Sequence, residues 1–271
     1  MTSRIRTENV DIGYDDKLVV KELNLEIPNQ KITSLVGANG SGKSTILKTI
    51  GRIIKAAEGA IFLDGKELHE QKTKEIAKKL AILPQNPFPP LGLKVDELVA
   101  YGRAPYQKGF NTLTKEDREI VYWALEVSGM LTFAKRDLDS LSGGQLQRVW
   151  IAMALAQQTE ILLLDEPTTF LDMAHQMDVL CLLEKLNKEE QRTIVMVVHD
   201  LNHASRFSDY MIAIKDGKIV KKGTPNDVMK TEVLREVFGI DADIVQAPRT
   251  GHPICVPFGT FHVKNRKQVV S

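Results

Sequence analysis

The first part of the chain alternates between strand-like and helical patterns of apolar residues. Alternating or β-rich runs predict three strands, at Arg4–Val10, Leu23–Ile27 and Lys31–Val36. The last of these runs ends in a glycine-rich loop, after which apolar residues recur at helical spacing from Ser44 to Ile54. A further strand and turn follow at Ala60–Leu63 and Asp64-Gly65. The charged stretch Lys66–Lys79 predicts a solvated helix.

The middle of the chain, residues 86–141, differs in character. It opens with three prolines and then shows helical patterns at Val95–Tyr101, Lys115–Ser128 and around Met130–Ala134. We interpret this segment as a helical insert within a larger domain.

After the insert, strand and helix patterns alternate again. They predict a helix, a strand, a helix, a strand and a hairpin, at Gln145–Gln157, Ile161–Asp165, His175–Asn187, Thr193–Val198 and residues 212–221. Strands that alternate with helices imply an α/β fold with a largely parallel sheet covered on both faces.

Composition and charge narrow the class of protein. The chain has 271 residues, 43% of them hydrophobic, and its 36 basic and 35 acidic residues give a net charge of +1. This balance supplies no field that favours nucleic acid or an anionic membrane. No apolar run approaches the length of a membrane span, and no signal peptide is recognisable, so we expect a cytosolic protein. Cys181 and Cys255 are too few for a disulfide framework and are interpreted as small apolar residues or free thiols.

The strongest chemical motif is the glycine-rich loop between the third strand and the first helix. It fits the pattern G-x-x-x-x-G-K-[ST] and comprises Gly37, Ala38, Asn39, Gly40, Ser41, Gly42, Lys43, Ser44 and Thr45. Glycines let backbone N–H groups turn toward phosphate oxygens, and the helix start adds its positive dipole end. We expect Lys43 to reach the β- and γ-phosphates, Ser44 to bind Mg²⁺ and Thr45 to face the α-phosphate. A glycine-rich turn that merely enters a helix is the alternative, and the strand-loop-helix context favours a nucleoside triphosphate.

Two carboxylates follow the buried strand Ile161–Asp165. Asp165 is suited to hold the water shell of Mg²⁺, and Glu166 is suited to polarise an attacking water. An acidic turn exposed to solvent is the alternative interpretation of this pair. The phosphate loop upstream favours the catalytic one.

A second anion site is predicted immediately before the helix that follows the insert. Its sequence is Leu141, Ser142, Gly143, Gly144 and Gln145, which brings two glycine N–H groups to a helix N-terminus. One chain with two phosphate-binding helix starts suggests a head-to-tail pair, in which each copy's second site covers the nucleotide in the first site of the other.

These motifs together resemble the ATP-binding-cassette ATPases over about Ile5 to Val245. The resemblance implies a P-loop NTPase core with a largely parallel sheet, an N-terminal antiparallel β portion and a helical subdomain insert. It further implies a RecA-like core at residues 3–85 and 145–245, the insert at 86–144 and a C-terminal tail at 246–271. ATP and Mg²⁺ are the expected cofactors.

The resemblance also assigns roles to single residues. Tyr14 matches the aromatic residue that stacks on adenine, although a buried core tyrosine is an alternative. Gln85 matches the glutamine that contacts Mg²⁺ and the attacking water, so that the expected metal site is Ser44, Gln85 and Asp165. His199 matches the histidine that holds the γ-phosphate and orients the catalytic carboxylate. Asp172 fits the loop that crosses the dimer interface. The expected catalytic residues are Glu166, His199, Gln85 and Lys43.

Absent features and local sequence point to one branch of the family. The chain has no long coiled coil, no second cassette and no fused membrane helices, which leaves a separate subunit docked on a transmembrane permease at the cytoplasmic face of the cell membrane. The segment Leu91–Tyr106 resembles the insert of ATPases from ferric-siderophore, haem and vitamin B12 importers. Two further segments, His199–Ala204 and Pro248–Gly259, resemble the ferric-siderophore branch most closely. The alternative is a haem, cobalamin or other metal-chelate importer. The partners implied are a second copy, permease subunits and, indirectly, a substrate-binding protein, but no nucleic acid.

A docking surface for the permease is expected between Gln85 and Arg103. The apolar residues Phe88, Leu91 and Leu93 are available there to receive a permease helix, or they only pack the insert. The sequence leaves these two interpretations open.

Overall fold

The computed structural model of the protein describes residues 3–14, 17–85, 92–107 and 113–261. Its strands are β1 Ser3–Tyr14, β2 Lys17–Leu23, β3 Glu26–Pro28, β4 Ile32–Val36, β5 Glu58–Leu63, β6 Lys66–Glu67, β7 Leu80–Leu83, β8 Ile161–Asp165, β9 Thr193–Val197, β10 Tyr210–Lys215, β11 Lys218–Gly223, β12 Ile240–Gln246 and β13 Pro253–Thr260. Its α-helices are α1 Lys43–Ile50, α2 Thr73–Ala77, α3 Val95–Ala100, α4 Lys115–Val127, α5 Gly143–Ala156, α6 Met173–Glu190, α7 Leu201–Phe207, α8 Pro225–Val228 and α9 Thr231–Phe238.

A six-stranded sheet forms the centre of the fold, in the order β11-β10-β4-β9-β8-β7. Its strands are parallel except for β11, which forms an antiparallel hairpin with β10. Every residue of β4, β8 and β9 is buried. Strands of this kind are covered by other elements on both faces, which explains their continuous apolar sequences. The predicted α/β fold with a largely parallel sheet is confirmed.

A smaller antiparallel sheet is formed by the N-terminal strands, in the order β2-β1-β5-β6, with β3 paired to β1. It packs with α1 and the central sheet around one apolar cluster, which includes Ile12, Ile46 and Leu163. Helix α1 therefore packs between the two sheets. The predicted N-terminal antiparallel portion is confirmed.

The helical insert packs on α5 through α3 and α4. Its main polar anchor is a buried ion pair in which Arg103 Nε donates to Asp117 Oδ1 at 2.8 Å. Arg103 also donates to the carbonyl oxygen of Ala156 at 2.8 Å, which ties the insert to the end of α5. Leu93 is partly buried and packs against the main apolar cluster, and its role in docking stays a prediction. Phe88 and Leu91 lie outside the described residues.

Two expectations about local structure are wrong. The charged stretch Lys66–Lys79 is not one helix: it contains β6, a 3₁₀ turn at Leu68–Glu70 and only the short α2. Asp64 and Gly65 adopt φ angles of 54° and 74°, and this tight turn brings β6 back to pair with β5. The helix expected from Ser44 to Ile54 ends at Ile50, and the chain leaves the helical conformation at Arg52, whose φ is 60°. Gly51 packs so closely on Ile82 that a Cβ there would lie 2.4 Å from Cδ1.

The C-terminal part of the described chain is ordered. Strands β12 and β13 form a hairpin, and β13 packs against α7. Asn202 holds the backbone of Cys255 at both its N–H and its carbonyl group, and the hydroxyl of Ser205 donates to the carbonyl oxygen of Pro253. Part of the segment expected to be a tail after residue 245 is therefore a paired strand.

Cys181 is exposed, and Cys255 is buried; both are free thiols. Among the helices of the described ranges, none combines the length and the apolar character that a membrane crossing requires.

Candidate active site

Four neighbouring parallel strands end at the same edge of the central sheet, and a candidate residue follows each one. The glycine-rich loop follows β4, Gln85 follows β7, Glu166 follows β8 and His199 follows β9. In open α/β sheets, ligands bind outside the carboxyl ends of the strands. The sequence positions that carry the motifs thus converge in space because of the sheet order.

These residues line one cleft of 520 Å³. Its walls are Tyr14, Val19, Asn39, Gly40, Gly42, Lys43, Ser44, Thr45, Gln85, Glu166 and His199. A somewhat larger cavity of 600 Å³ lies past the end of α1, between Thr49 and His69, and contains none of the motif residues. The candidate residues line the smaller cleft.

Lys43 is folded back into the glycine-rich loop. Its ammonium group donates to the carbonyl oxygens of Gly37 at 3.0 Å and Ala38 at 2.8 Å. Burial lowers the pKa of Lys43, and the charges of Glu166 and Asp165 oppose this shift in part. Gly42 at the start of α1 has a φ of 100°, a conformation that side-chain-bearing residues rarely adopt. The loop is thus built to hold a buried positive charge next to open backbone N–H groups.

Ser44 and Asp165 meet on the floor of the cleft. Ser44 Oγ donates to Asp165 Oδ1 at 2.7 Å. Asp165 Oδ2 is buried and accepts no hydrogen bond from the residues that the structure describes, although Lys48 Nζ lies 3.5 Å away. A hydroxyl and a buried carboxylate oxygen with unused acceptor capacity are the oxygen ligands that Mg²⁺ prefers, so this pair fits the ion.

The carboxylate of Glu166 contacts three side chains around the cleft. His199 Nε2 lies 2.6 Å from Oε1, and Oε2 accepts from Gln85 Nε2 at 2.5 Å and from Thr169 Oγ1 at 3.0 Å. The backbone of Glu166 has a φ of 54°, which is uncommon for a residue other than glycine. Glu166 is 7% exposed, so a turn facing solvent is excluded. Such unusual backbone geometry concentrates at functional sites.

Tyr14 lies at the mouth of the cleft and is 49% exposed. Its hydroxyl lies 3.5 Å from Thr45 Oγ1. It is therefore not a core tyrosine, and its ring is open to a ligand that enters the cleft.

The second anion motif does not line this cleft. Ser142 caps α5: its hydroxyl accepts from the N–H of Gln145 at 3.3 Å, and Gln145 Oε1 accepts from the N–H of Ser142 at 3.0 Å. Ser142 and Gly143 are exposed. Asp172 likewise caps α6 and is exposed. Within one chain, neither Leu141–Gln145 nor Asp172 lines the cleft, and Ser142, Gly143 and Asp172 face solvent.

Sequence reasoning missed four neighbours of the candidate residues. Thr169 holds Glu166, Lys48 pairs with Asp165, Val19 lines the cleft and His175 contacts Asp172. Thr169 lies three residues after Glu166 and Lys48 one helical turn after Ser44, spacings that could have identified both. Val19 comes from a separate sheet and gives no local signal.

Comparison with known proteins gives the family. The model of the ABC transporter family matches residues 20–169. The chain is 57% identical over 267 residues to an iron(3+)-hydroxamate import ATP-binding protein, FhuC, of Bacillus subtilis (strain 168), a match that covers 98% of each chain. It is 43% identical over 257 residues to a ferric enterobactin transport ATP-binding protein, FepC, of Escherichia coli (strain K12), with 95% of each chain covered.

Solved structures agree with this result. An inward-facing ABC transporter assigned to the metal-chelate type aligns with a TM-score of 0.82 and 27% identity, covering 95% of this chain and 98% of the other. A dimeric bacterial ABC transporter cassette, MJ0796, aligns with a TM-score of 0.72 and 33% identity over 81% of this chain and 98% of the other. The chain therefore belongs to the ABC transporter family as one of its ATP-binding subunits, whose activity is ATP hydrolysis.

Proposed function

We propose that this chain is the ATP-hydrolysing subunit that powers import of iron(III)–siderophore complexes through a membrane permease. The proposal of ATP hydrolysis rests on the cleft in which the buried carboxylate of Glu166 lies beside the phosphate loop. The proposal that the cargo is an iron(III)–siderophore complex is supported by two similarities over nearly the whole chain: 57% identity to the iron(3+)-hydroxamate import protein and 43% to the ferric enterobactin transport protein.

ATP enters the cleft with its adenine on the ring of Tyr14 and its phosphates in the loop Gly37–Thr45. The N–H groups of the loop and of the first turn of α1 bind phosphate oxygens, and the helix dipole adds to their field. The carbonyl contacts of Lys43 are exchanged for contacts with the β- and γ-phosphates. The ammonium group is buried near its target, so little reorganisation is needed.

Mg²⁺ would be held by the Ser44 hydroxyl, the Asp165 carboxylate and the Gln85 amide oxygen. When bound, the ion neutralises charge on the β- and γ-phosphates. The Ser44 hydroxyl and Asp165 Oδ1, now hydrogen-bonded to each other, would hold the ion, and Asp165 Oδ2, which accepts no hydrogen bond from the described residues, would add acceptor capacity.

Catalysis requires that Glu166 release part of its present hydrogen bonding. Both of its oxygens are engaged by His199, Gln85 and Thr169. A γ-phosphate in the cleft attracts the donor groups of His199 and Gln85, which frees a carboxylate oxygen to accept a proton from water. The water oxygen then forms the bond to the γ-phosphorus while the bond to the β,γ-bridging oxygen breaks, leaving ADP and phosphate.

A second copy of the chain completes the site. Ser142 and Gly143 are exposed at the start of α5, and this helix N-terminus is suited to bind an anion that the same chain does not supply. The large apolar residues on either side of Asp172 are also exposed, Phe170 by 85% and Met173 by 77%. Exposed apolar residues of this size are typical of a surface that another protein covers. The similarity to a dimeric cassette supports a head-to-tail pair.

The permease docks on the helical insert, at the cytoplasmic face of the membrane, and a substrate-binding protein acts indirectly from the other side. Closure of the two copies pulls the permease helices together, and release of products resets them. A haem, cobalamin or other metal-chelate importer on the same architecture is the second candidate, which the similarity to a transporter assigned to the metal-chelate type favours.

Uptake of radioactive iron by iron-limited cells tests this function. Cells without their own copy are supplied with wild-type protein, with Glu166→Gln, or with Glu189→Gln as a matched change on an exposed part of α6. Ferric hydroxamate, ferric catecholate, haem and cobalamin are compared as cargo. We expect Glu166→Gln alone to abolish uptake of one siderophore class. Normal siderophore uptake with lost haem or cobalamin uptake would move the cargo to the second candidate.

A further inference from the structure

The first turn of α6 holds the carboxylate of Asp172 through one residue. The backbone N–H of His175 donates to Asp172 Oδ1 at 2.9 Å, and His175 Nδ1 lies 2.8 Å from the same oxygen. Because a carboxylate oxygen only accepts, Nδ1 carries the proton in this contact. The backbone N–H of His175, and then its ring, lower the pKa of Asp172, which keeps the group charged.

The same histidine ring lies against the start of α5. A Cβ placed on Gly144 would come within 3.0 Å of His175 Cδ2 and 3.1 Å of Cγ, which is closer than side chains normally pack. Gly144 is buried, whereas its neighbours Ser142 and Gly143 are exposed. His175 therefore contacts both surfaces that the head-to-tail pair is proposed to use: the anion site at the α5 start and the loop that ends at Asp172.

Two further contacts brace these elements. Arg148 on α5 pairs with Asp178 on α6 at 2.5 Å, one turn beyond His175. Gln176 donates to the carbonyl oxygen of Leu171 at 3.1 Å and so fixes the loop before Asp172. These contacts tie α5 and α6 together. The His175 ring, which contacts both Asp172 and Gly144, therefore influences the position of Asp172 relative to the N–H groups of Gly143 and Gly144.

We propose that His175 is a positioning residue that fixes Asp172 and the α5 N-terminus in one arrangement, ready to receive the nucleotide-loaded face of the second copy. This inference rests on the head-to-tail pair proposed above. Groups that are already fixed lose less conformational freedom on association, so the pair forms more tightly. The residue itself touches no nucleotide of its own chain, because it does not line the cleft.

Asparagine and leucine separate this role from simple packing. Both keep heavy atoms near the positions of His175 Cγ and Cδ2, which touch Gly144, but asparagine also keeps an N–H near Nδ1. His175→Leu therefore removes the side-chain bond to Asp172 and keeps the backbone bond and the bulk, and His175→Asn keeps all three. His175→Gln moves its amide one bond farther out and is expected to behave like the leucine variant.

The dissociation constant of the ATP-driven dimer, measured by analytical ultracentrifugation, tests the inference. Each variant is made in the hydrolysis-blocked Glu166→Gln chain, and ATP binding by the monomer and thermal unfolding report on folding. We expect His175→Leu to weaken the dimer about tenfold with unchanged monomer ATP affinity, and His175→Asn to restore it. Equal dimer affinity in the parent and the leucine variant, or a failure of asparagine to rescue, would overturn the inference alone. Absence of an ATP-driven dimer in the parent would instead overturn the head-to-tail pair.

Discussion

His199 and Glu166 form a hydrogen bond of 2.6 Å between Nε2 and Oε1, across the ends of two adjacent strands. Because the acceptor is a carboxylate, Nε2 is the donor and the proton lies on that nitrogen. The bond fixes the direction of the carboxylate, and it also occupies the oxygen that a water molecule would use. The histidine can therefore orient the base and, once a γ-phosphate competes for its N–H, release it.

Replacing Glu166 by glutamine removes the proton acceptor and keeps the shape of the side chain. We expect the ATP hydrolysis rate to fall at least about 100-fold, the range of general-base contributions. ATP binding is expected to persist or tighten, because a negative charge near the γ-phosphate is removed. Phosphate release and nucleotide binding by calorimetry measure the two effects. The matched variant Glu189→Gln should hydrolyse normally, and an active Glu166→Gln would exclude Glu166 as the base.

Replacing His199 by alanine removes one donor to Glu166. A hydrogen bond to a charged group contributes about 1.5–3 kcal/mol, which corresponds to a decrease in kcat of about 10- to 100-fold. His199→Gln, whose amide N–H extends to a similar distance, is expected to recover part of the rate. Steady-state kinetics with KM measured separately checks this. If both variants fall equally, the donated hydrogen bond is not what His199 contributes.

We expect Lys43 to couple ATP binding to proton uptake at alkaline pH. Burial holds its pKa below the usual 10.5 in the nucleotide-free chain, so the folded chain loses this proton before the unfolded chain does. The cost of burying the charge is present at neutral pH, begins to fall as the pH rises through the lowered pKa and is gone above the usual 10.5, so this residue's contribution to stability improves in that direction. Bound phosphates raise the pKa again.

We therefore expect ATP binding to take up protons as the pH approaches the lowered pKa. Calorimetry in buffers of different ionisation enthalpy measures this uptake. Lys43→Met should abolish the uptake at every pH. Uptake that persists unchanged in this variant would assign it to another group.

The buried pair Arg103–Asp117 stabilises the insert. Arg103→Leu leaves the Asp117 carboxylate buried with Thr114 as its remaining side-chain donor, and breaking a buried pair in this way costs about 3–5 kcal/mol. Burial alone raises the pKa of Asp117, but the hydrogen bonds from Arg103 and Thr114 outweigh it, so the net shift is downward. Its stabilisation is thus present at neutral pH and lost as the pH falls through the lowered pKa.

Urea unfolding at neutral and acidic pH tests this expectation. The difference between wild type and Arg103→Leu should shrink at acidic pH, because the carboxylate of the variant becomes protonated. Lys135→Ala, which breaks the exposed pair with Asp96, should change stability little. An equally small effect of Arg103→Leu would contradict the anchoring role.

The sequence predicts the chemistry at the strand ends better than it predicts surface elements. The glycine-rich loop before Ser44 and the apolar strand before Glu166 are each recognisable from local sequence and each carry a chemical motif. The order of the strands in the sheet then brings the two close together. The stretch Lys66–Lys79 has many charges but lacks the regular apolar spacing of an amphipathic helix. The turn at Asp64-Gly65 instead brings its first residues back to pair with β5. Contacts across elements, such as that of His175 with Gly144, have no signature in local sequence.

The central claim is that one copy's phosphate loop works with the α5 start of another copy, and mixing two inactive variants tests it most directly. Lys43→Ala disables the phosphate loop, and Ser142→Arg blocks the α5 start, so each variant alone should hydrolyse little ATP. When the two variants are mixed at equal amounts and pair at random, about half of the dimers contain one copy of each variant. Each mixed dimer has one intact site and one doubly altered site, so about a quarter of the wild-type rate should return. A mixture as inactive as its components, or full activity of either variant alone, would contradict the shared site.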